Sequence, residues 1–225
     1  MSQRLSEWCG HGPVLEEDIA LTNVALDLLG QARFWLSSAG DEDQLAFLRD
    51  TSEFRNALLV EQPNGDFGQT MARQFYFDAW HFFVLQELQR SKDERIAGIA
   101  EKALKEVTYH LERSTDWVIR LGDGTEESHA RMQSALDDLW MYTGELFEMD
   151  EIDIEMLQRG IGADLSALRK PWLDHIEKSF KGATLAMPGG NWMQRGGKQG
   201  VHTEKLGYLL AEMQFLQRTY PGAQW

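Results

Sequence analysis

The chain has 225 residues, 43% of them hydrophobic, with a single cysteine and a formal net charge of −14. This composition indicates one large domain, or a domain with an appendage, and excludes a disordered chain, a disulfide scaffold and a membrane protein. The acidic balance argues against nucleic-acid binding, because no basic face is available to neutralise phosphates. The lone cysteine and an N-terminus without an apolar signal core predict a cytoplasmic protein.

Apolar residues recur at helical spacing along almost the whole chain, and no segment is rich in β-formers. The predicted helices, taken in chain order, are Glu16–Ala39, Phe67–Arg90, Asp93–Leu121, Thr125 to about Phe147, Asp150–Arg159, Ser166–Phe180 and Thr203–Thr219. Thr125 is the predicted N-cap of its helix, with Ser128 at the position where a capping box would have Glu or Gln. Pro171 marks the start of a helix or a kink in it, and Gly182–Gly200 is a predicted glycine-rich loop.

Three of these helices carry polar side chains near mid-length on a face that looks inward. The set, which is costly to bury unless it is paired or bound to something, comprises Asn23, Asp27, Gln31, Asp78, Glu106 and His110. Carboxylates and histidines at mid-helix suggest the di-iron carboxylate architecture of helical bundles. The predicted fold is therefore all-α: a single ferritin-like domain over residues 1–225, with a four-helix bundle core at about 1–121 and further C-terminal helices and an arm at about 124–225.

The ligand spacing of such a site is only partly present. A di-iron site uses a Glu from each of two helices and Glu-x-x-His from each of the other two, because residues three apart share a helix face. Leu28 and Gln31 stand in the first long helix where Glu and His are required. Glu106 and His110 are four residues apart, and Val107 occupies the position three before the histidine. This pattern predicts a degenerate site without metal; a competent site with atypical ligands is the alternative.

Two other pairs have the required spacing, Asp78 with His81 and Glu126 with His129, and the second pair is expected to be solvated. The expectation is that the polar groups of a former site bond to one another inside the bundle. The residues expected to form this cluster are Asp78, Glu106, His110 and Gln31. The isolated histidines His11, His175 and His202 are predicted to be surface or capping residues. No catalytic residue and no cofactor-binding residue is assigned to this chain.

Several long strings of the sequence closely resemble the PaaC family, whose members are subunits of the phenylacetyl-CoA 1,2-epoxidase of aerobic phenylacetate degradation. The strings are SQRLSEWCGHGP from Ser2, ALDLLGQAR from Ala25, LLVEQPNGDF from Leu58, DAWH from Asp78, KEVTYHLERS from Lys105, ELFEMDEIDI from Glu145 and GGKQGVHTEKLGYLLAEMQFLQR from Gly196. The resemblance covers essentially the whole chain. Family members usually carry additional residues before the segment that matches Ser2, so the chain is expected to begin inside the first bundle helix.

The resemblance implies a ferritin-like fold and a non-catalytic, structural role. It implies tight pairing with PaaA, a homologous subunit that carries the di-iron site and binds the CoA thioester. PaaB and the reductase PaaE would complete a system that uses NADPH and dioxygen to epoxidise the ring. Loss of the iron ligands in PaaC proteins agrees with Leu28, Gln31 and Val107 here. No cofactor is expected in this chain. A di-iron oxygenase with atypical ligands and a ferritin-like binding or storage protein remain as alternatives.

The segment from Gly182 to Trp225 is a candidate arm for docking on the partner. From Ser179 onward the chain has five Lys and Arg residues against two acids, which reverses the charge of the body. The segment also carries the aromatic residues Trp192, Tyr220 and Trp225, and aromatics are usual anchors of protein interfaces. The alternative is that this tail folds back on its own bundle.

Overall fold

The computed structural model describes residues 1–190 and 192–223, and over these residues the chain is all-α without a strand. The helices are α1 Ser2–Ser6, α2 Leu15–Ala39, α3 Phe67–Leu88, α4 Glu94–Gly122, α5 Glu126–Trp140, α6 Glu151–Arg159, α7 Arg169–Gly182, α8 Glu204–Met213 and α9 Phe215–Thr219. Short helical turns lie at Gln44–Leu48, Thr51–Glu53, Leu58–Glu61, Gly144–Phe147 and Gly197–Gln199. The predicted all-α, bundle-type fold is confirmed, and it is consistent with a ferritin-like architecture.

Side-chain caps fix where several helices begin. Thr125 accepts a hydrogen bond from the Ser128 backbone N–H at 3.1 Å, and the Ser128 hydroxyl accepts from the Thr125 N–H at 2.9 Å. The predicted N-cap of α5 is therefore confirmed, and Ser128 completes a capping box in place of the usual Glu or Gln. Asp93 and Asp150 cap α4 and α6 in the same way, each accepting from two backbone N–H groups of the first turn. These caps satisfy donors that have no partner within the helix.

Three predicted helix boundaries are wrong. The helix that begins after Thr125 ends at Trp140 rather than Phe147, because the Thr143 hydroxyl and N–H both bond the Trp140 carbonyl and close a turn there. The helix α7 begins at Arg169 rather than Ser166, and Pro171 falls in its first turn, where a missing N–H costs nothing. The last predicted helix is two helices, α8 and α9, separated at Gln214.

The chain divides into two compact units, and the boundaries do not follow the order of the sequence. One unit joins Met1–Asn64 to the chain from Arg195 onward, and the other is Gly65–Gln194. The prediction of a single domain over residues 1–225 stays a prediction. In the second unit α3 packs against α4, α5 and α7, and α4 also packs against α5 and α7. Helix α3 is thus the central element of this unit, which explains why most of its length is buried.

An aromatic cluster forms the core of the second unit. Trp172 of α7 is 1% exposed and lies against the rings of Tyr76, Trp140 and Phe147 at centroid distances of 5.2–5.7 Å. Its indole N–H donates to the Tyr76 carbonyl at 3.1 Å, and the Tyr76 hydroxyl donates to the Leu136 carbonyl at 3.2 Å. The polar ends of both side chains are therefore satisfied inside the core, as buried Trp and Tyr require.

In the first unit, the N-terminal segment of the chain packs against the C-terminal segment. Helix α1 packs against α2, and α8 packs against α1 and against the turns at Thr51–Glu53 and Leu58–Glu61. The three α8 leucines Leu206, Leu209 and Leu210 form a buried cluster with Phe54 and Met213 packed against it.

The C-terminal tail therefore belongs to the body of its own chain. The side chain of Gln214 donates to the carbonyls of Ala46 and Arg49, and Arg218 donates to the carbonyls of Phe47 and Arg49. For the described residues from Arg195 onward, the structure supports the alternative that the tail folds back on its own chain, and it does not support a free docking arm. Among the predicted anchors, Trp192 is 64% and Tyr220 is 56% exposed. Trp225 lies outside the described residues.

We expect Trp172→Ala to lower the free energy of unfolding by about 3–5 kcal/mol, because it removes a fully buried ring from the aromatic core. Urea denaturation followed by circular dichroism measures the change. The matched control is Trp192→Ala, an exposed tryptophan of the same unit, which should shift stability by less than about 0.5 kcal/mol. Equal effects of the two substitutions would contradict this description of the core.

Candidate functional site

The buried polar group at the centre of the second unit is the carboxyl of Asp78. It lies on α3 and is 0% exposed. One turn earlier on the same helix, the Gln74 amide donates to its Oδ1 at 2.5 Å. Ser114, a buried residue of α4, faces the carboxyl group as a further hydrogen-bond partner, and the charge of Arg113 acts on it from the same helix. The sequence prediction that Asp78 points into the bundle is correct.

Burial decides the charge of this carboxyl. Removing it from water raises the pKa of Asp78 to about 8, even though the hydrogen bonds from Ser114 and Gln74 and the charge of Arg113 act in the opposite direction. A carboxylate is stabilised by water more strongly than a neutral carboxyl, so the desolvated group keeps its proton. At neutral pH Asp78 is therefore an uncharged hydrogen-bonding group.

A partly buried imidazole, that of His81, lies one turn further along α3. Desolvation, with a smaller electrostatic contribution from the neighbouring His110 of α4, lowers the pKa of His81 to about 3. His110 itself is 1% exposed. Both effects keep the proton off His81, so this ring is neutral at physiological pH. The Asp78–His81 pair, the one usable ligand pair on α3, is thus uncharged at both positions.

The remaining predicted site residues lie on two different helices. Glu106 is partly buried on α4, one turn before His110. Leu28 and Gln31 lie on the buried face of α2 in the first unit, at 7% and 4% exposure. Asp78 is hydrogen-bonded by Gln74 and Ser114, two partners that the helical spacing did not single out. Mutual bonding among Asp78, Glu106, His110 and Gln31 stays a prediction.

The donor set does not fit a di-iron centre. Such a centre needs four carboxylates and two histidines, and Leu28 and Val107 have no ligand atoms to offer. Within residues 1–190 and 192–223, no three His, Cys, Asp or Glu side chains are grouped closely enough to hold a metal ion. The Glu126–His129 pair is no substitute, since His129 Nδ1 contacts the Gly122 carbonyl at 2.6 Å.

A second buried polar cluster, which the sequence did not predict, lies in the first unit. His202, predicted to be a surface or capping residue, has a side chain that is 1% exposed and contacts Glu61, which is 0% exposed. That prediction was wrong because the two residues are 141 positions apart and nothing local indicates their contact. One signal was present: Glu61 and His202 both lie in strings that carry the family resemblance.

The fold and its core define an all-α, bundle-type protein whose central polar residues are buried and, at Asp78 and His81, uncharged. Residues 1–225 match the family described as Phenylacetic acid catabolic protein, and the chain belongs to this family. It is similar to the component designated C of the 1,2-phenylacetyl-CoA epoxidase of Escherichia coli (strain K12), with 52% identity over 231 residues. The similarity covers 100% of this chain and 93% of that relative. Over the described residues, no helix is long and apolar enough to cross a membrane.

The protonation of Asp78 predicts how stability changes with pH. The folded-state pKa is about 8, whereas an unfolded Asp titrates at about 4. Between these values the folded chain binds one proton more than the unfolded chain, so this group destabilises the fold increasingly as pH rises, by about 1.4 kcal/mol per pH unit.

The matched variant is Asp78→Asn, which keeps the shape and the neutral hydrogen bonds but cannot ionise. We expect the stability of Asp78→Asn relative to the wild type to increase from about pH 5 to about pH 8 and then level off. Asp78→Ala instead removes the partner of Gln74 and Ser114 and should cost about 1–3 kcal/mol at low pH. Urea titrations at several pH values test both; a constant difference between the wild type and Asp78→Asn would show that Asp78 is ionised throughout.

Proposed function

We propose that this chain is the non-catalytic, structural subunit of a multicomponent phenylacetyl-CoA epoxidase that acts in the cytoplasm in aerobic phenylacetate catabolism. The catalytic partner is a PaaA-type subunit that holds the di-iron centre, with PaaB and the NADPH-dependent reductase PaaE completing the complex. The observation that carries the proposal is full-length similarity to a component of such an epoxidase, together with a donor set that lacks iron ligands.

The chemistry of the core supports a role other than catalysis in this chain. In the partner, the di-iron centre would supply oxygen activation. In this chain, Leu28 and Val107 fill ligand positions with apolar side chains, and Asp78 and His81 hold neutral forms. These residues stabilise the bundle by packing and hydrogen bonding. Their contribution to the reaction is then indirect, because the bundle holds in place the surface that contacts the catalytic subunit.

Helix α2 has the surface expected of a subunit that needs a partner. Its buried residues, Leu21, Val24, Ala25, Leu28 and Gln31, lie on one face. On the opposite face Leu15, Ile19, Leu26 and Leu29 are 71%, 51%, 59% and 48% exposed, and their spacing of four, seven and three residues aligns them along the helix. A contiguous exposed apolar surface of this kind is typical of protein interfaces. It supports an interface with the homologous catalytic subunit.

We expect the isolated chain to bind no stoichiometric iron, and the iron of the co-expressed complex to follow the catalytic subunit. Elemental analysis and the near-ultraviolet absorption of the chain alone, of its partner alone and of the complex measure this directly. Two equivalents of iron in the isolated chain would instead favour the alternative of a di-iron oxygenase with atypical ligands.

Leu26→Lys should weaken association with the catalytic subunit by at least about tenfold, because a charge would have to be buried at the centre of the α2 face. The control is Leu48→Lys, a leucine of the same unit that is 55% exposed on a different element. Size-exclusion co-elution and a binding isotherm give the affinity, and circular dichroism checks that both variants stay helical. Unchanged binding of Leu26→Lys would remove α2 from the interface while leaving the subunit role in place.

A further inference from the structure

The turn before α3 contains the pair Asn64–Gly65, which the proposed function does not use. The chain has four asparagines, and Asn64 is the one that is followed by glycine. Asparagine is a thermolabile residue, and a glycine after it leaves the next backbone N–H unshielded by a Cβ. By its covalent structure, this pair is therefore the position of the chain most open to spontaneous deamidation.

Deamidation at this pair consumes water and no other reactant. The backbone nitrogen of Gly65 attacks Cγ of Asn64, so that a new C–N bond forms and the bond from Cγ to Nδ2 breaks. Nδ2 leaves as ammonia and takes with it the proton of the Gly65 amide. Water then opens the cyclic imide at either of its carbonyls, which leaves aspartate or isoaspartate at position 64. Gly65 is exposed, so water reaches this bond.

Two acceptors at the N-terminal end of the chain hold the nitrogen that would leave. Nδ2 of Asn64 donates to the backbone carbonyl of Arg4 at 2.7 Å and to Oε2 of Glu7 at 2.8 Å. A side-chain amide nitrogen carries two hydrogens, so both of them are used here. Loss of Nδ2 as ammonia requires both hydrogen bonds to break. The amide is therefore protected while α1 is in place.

The same turn also accepts a hydrogen bond from α1. The Arg4 guanidinium donates to the Glu61 backbone carbonyl at 2.8 Å and to the Glu7 carboxylate at 3.1 Å. The side chains of Arg4 and Glu7 are 11% and 27% exposed, and Asn64 is partly buried. Asn64 thus belongs to a half-buried network that fastens α1 to residues 61–64.

The local structure favours both residues of the pair. Gly65 has a φ of +58°, in the left-handed region that favours glycine. The contacts of Asn64 with Arg4 and Glu7 require a nitrogen that donates two hydrogen bonds, and the carboxylate of an aspartate has only acceptors. The contacts that hold α1 therefore keep a labile pair in this turn.

We propose that Asn64 is a site of spontaneous deamidation, that α1 controls the rate of this reaction, and that the reaction releases α1. While α1 is packed in place, its end of the chain holds Nδ2 and the reaction is slow. When α1 opens, the amide is free to turn toward the Gly65 nitrogen. The product carboxylate faces the Arg4 carbonyl and the Glu7 carboxylate, an arrangement of acceptors without a hydrogen between them, so α1 does not return to its place.

Release of α1 removes part of the core of the first unit. Leu5 of α1 is 0% exposed, and the Ser2 hydroxyl donates to the Ala25 carbonyl of α2 at 2.7 Å. Both contacts are lost when α1 leaves. Deamidation thus converts the first unit irreversibly into a form in which α2 has lost its packing partner α1.

The rate is tested on the full-length chain, which is incubated at one fixed pH and then digested for mass spectrometry of the peptides that carry Asn23, Asn56 and Asn64. In the wild type, deamidation should be fastest at Asn64. Glu7→Ala should raise the rate at Asn64 by about tenfold, because a hydrogen bond to a charged acceptor is lost. Glu7→Gln is the matched control. It keeps an acceptor oxygen at this position and should stay within about threefold of the wild type.

Two results would overturn control of the rate by α1. The first is a wild-type rate at Asn23 or Asn56 that equals or exceeds the rate at Asn64, a comparison that needs no variant. The second is a rate at Asn64 that Glu7→Ala leaves unchanged, or raises only together with the rates at Asn23 and Asn56.

The effect of the product is tested with Asn64→Asp, which places the deamidated side chain in the full-length chain. The backbone N–H groups of Leu5, Glu7 and Trp8 are hydrogen-bonded in and just after α1. Their hydrogen exchange, followed by mass spectrometry, should be about tenfold faster in this variant, while the amides of α4 exchange as in the wild type. Asn23→Asp adds the same charge at an exposed position of α2 and should leave the exchange of α1 unchanged. Equal exchange of α1 in Asn64→Asp and the wild type would show that the product does not release α1.

Discussion

A polar side chain buried in a helical protein must either be saturated with partners or give up its charge, and this constraint acts on both units of the chain. Asp78, with hydrogen bonds from Gln74 and Ser114 but little else, holds a proton and stays neutral. Glu61, which is equally buried, has polar contacts with Asn56, His202 and Thr203 on its two oxygens. The two buried carboxyls thus differ in the number of polar partners that the fold provides.

This difference explains what each buried carboxyl does for the fold. Neutral Asp78 links α3 to α4 through its contact with Ser114. Because Asp78 is neutral, the core does not have to accommodate a charge at this position. Glu61 instead contacts His202 and Thr203, which come from the far end of the chain. The carboxylate therefore selects which distant segment packs beside it. A polar group that specifies a tertiary contact in this way contributes uniqueness to the fold as well as stability.

Both faces of α2 carry apolar residues, but the two faces differ in how far they are exposed to solvent. One face is buried with Leu21 and Val24, while the opposite face leaves Leu26 and Leu15 more than half exposed. A helix with apolar residues on two opposite faces has more apolar surface than a single core can bury. The proposed role as a subunit of an epoxidase would explain this surplus, since a protein that works in a complex keeps one apolar face for its partner.

The sequence by itself determined the helical content, most helix starts and the family. Helical periodicity and caps such as Thr125 are recognised within a few positions of the chain. Only the tertiary structure decided which distant segments meet, since Glu61 and His202 are more than 140 positions apart. The charge of Asp78 likewise depends on how far packing removes it from water. Burial and donor number are properties of the assembled core, so residue type alone does not fix these charge states.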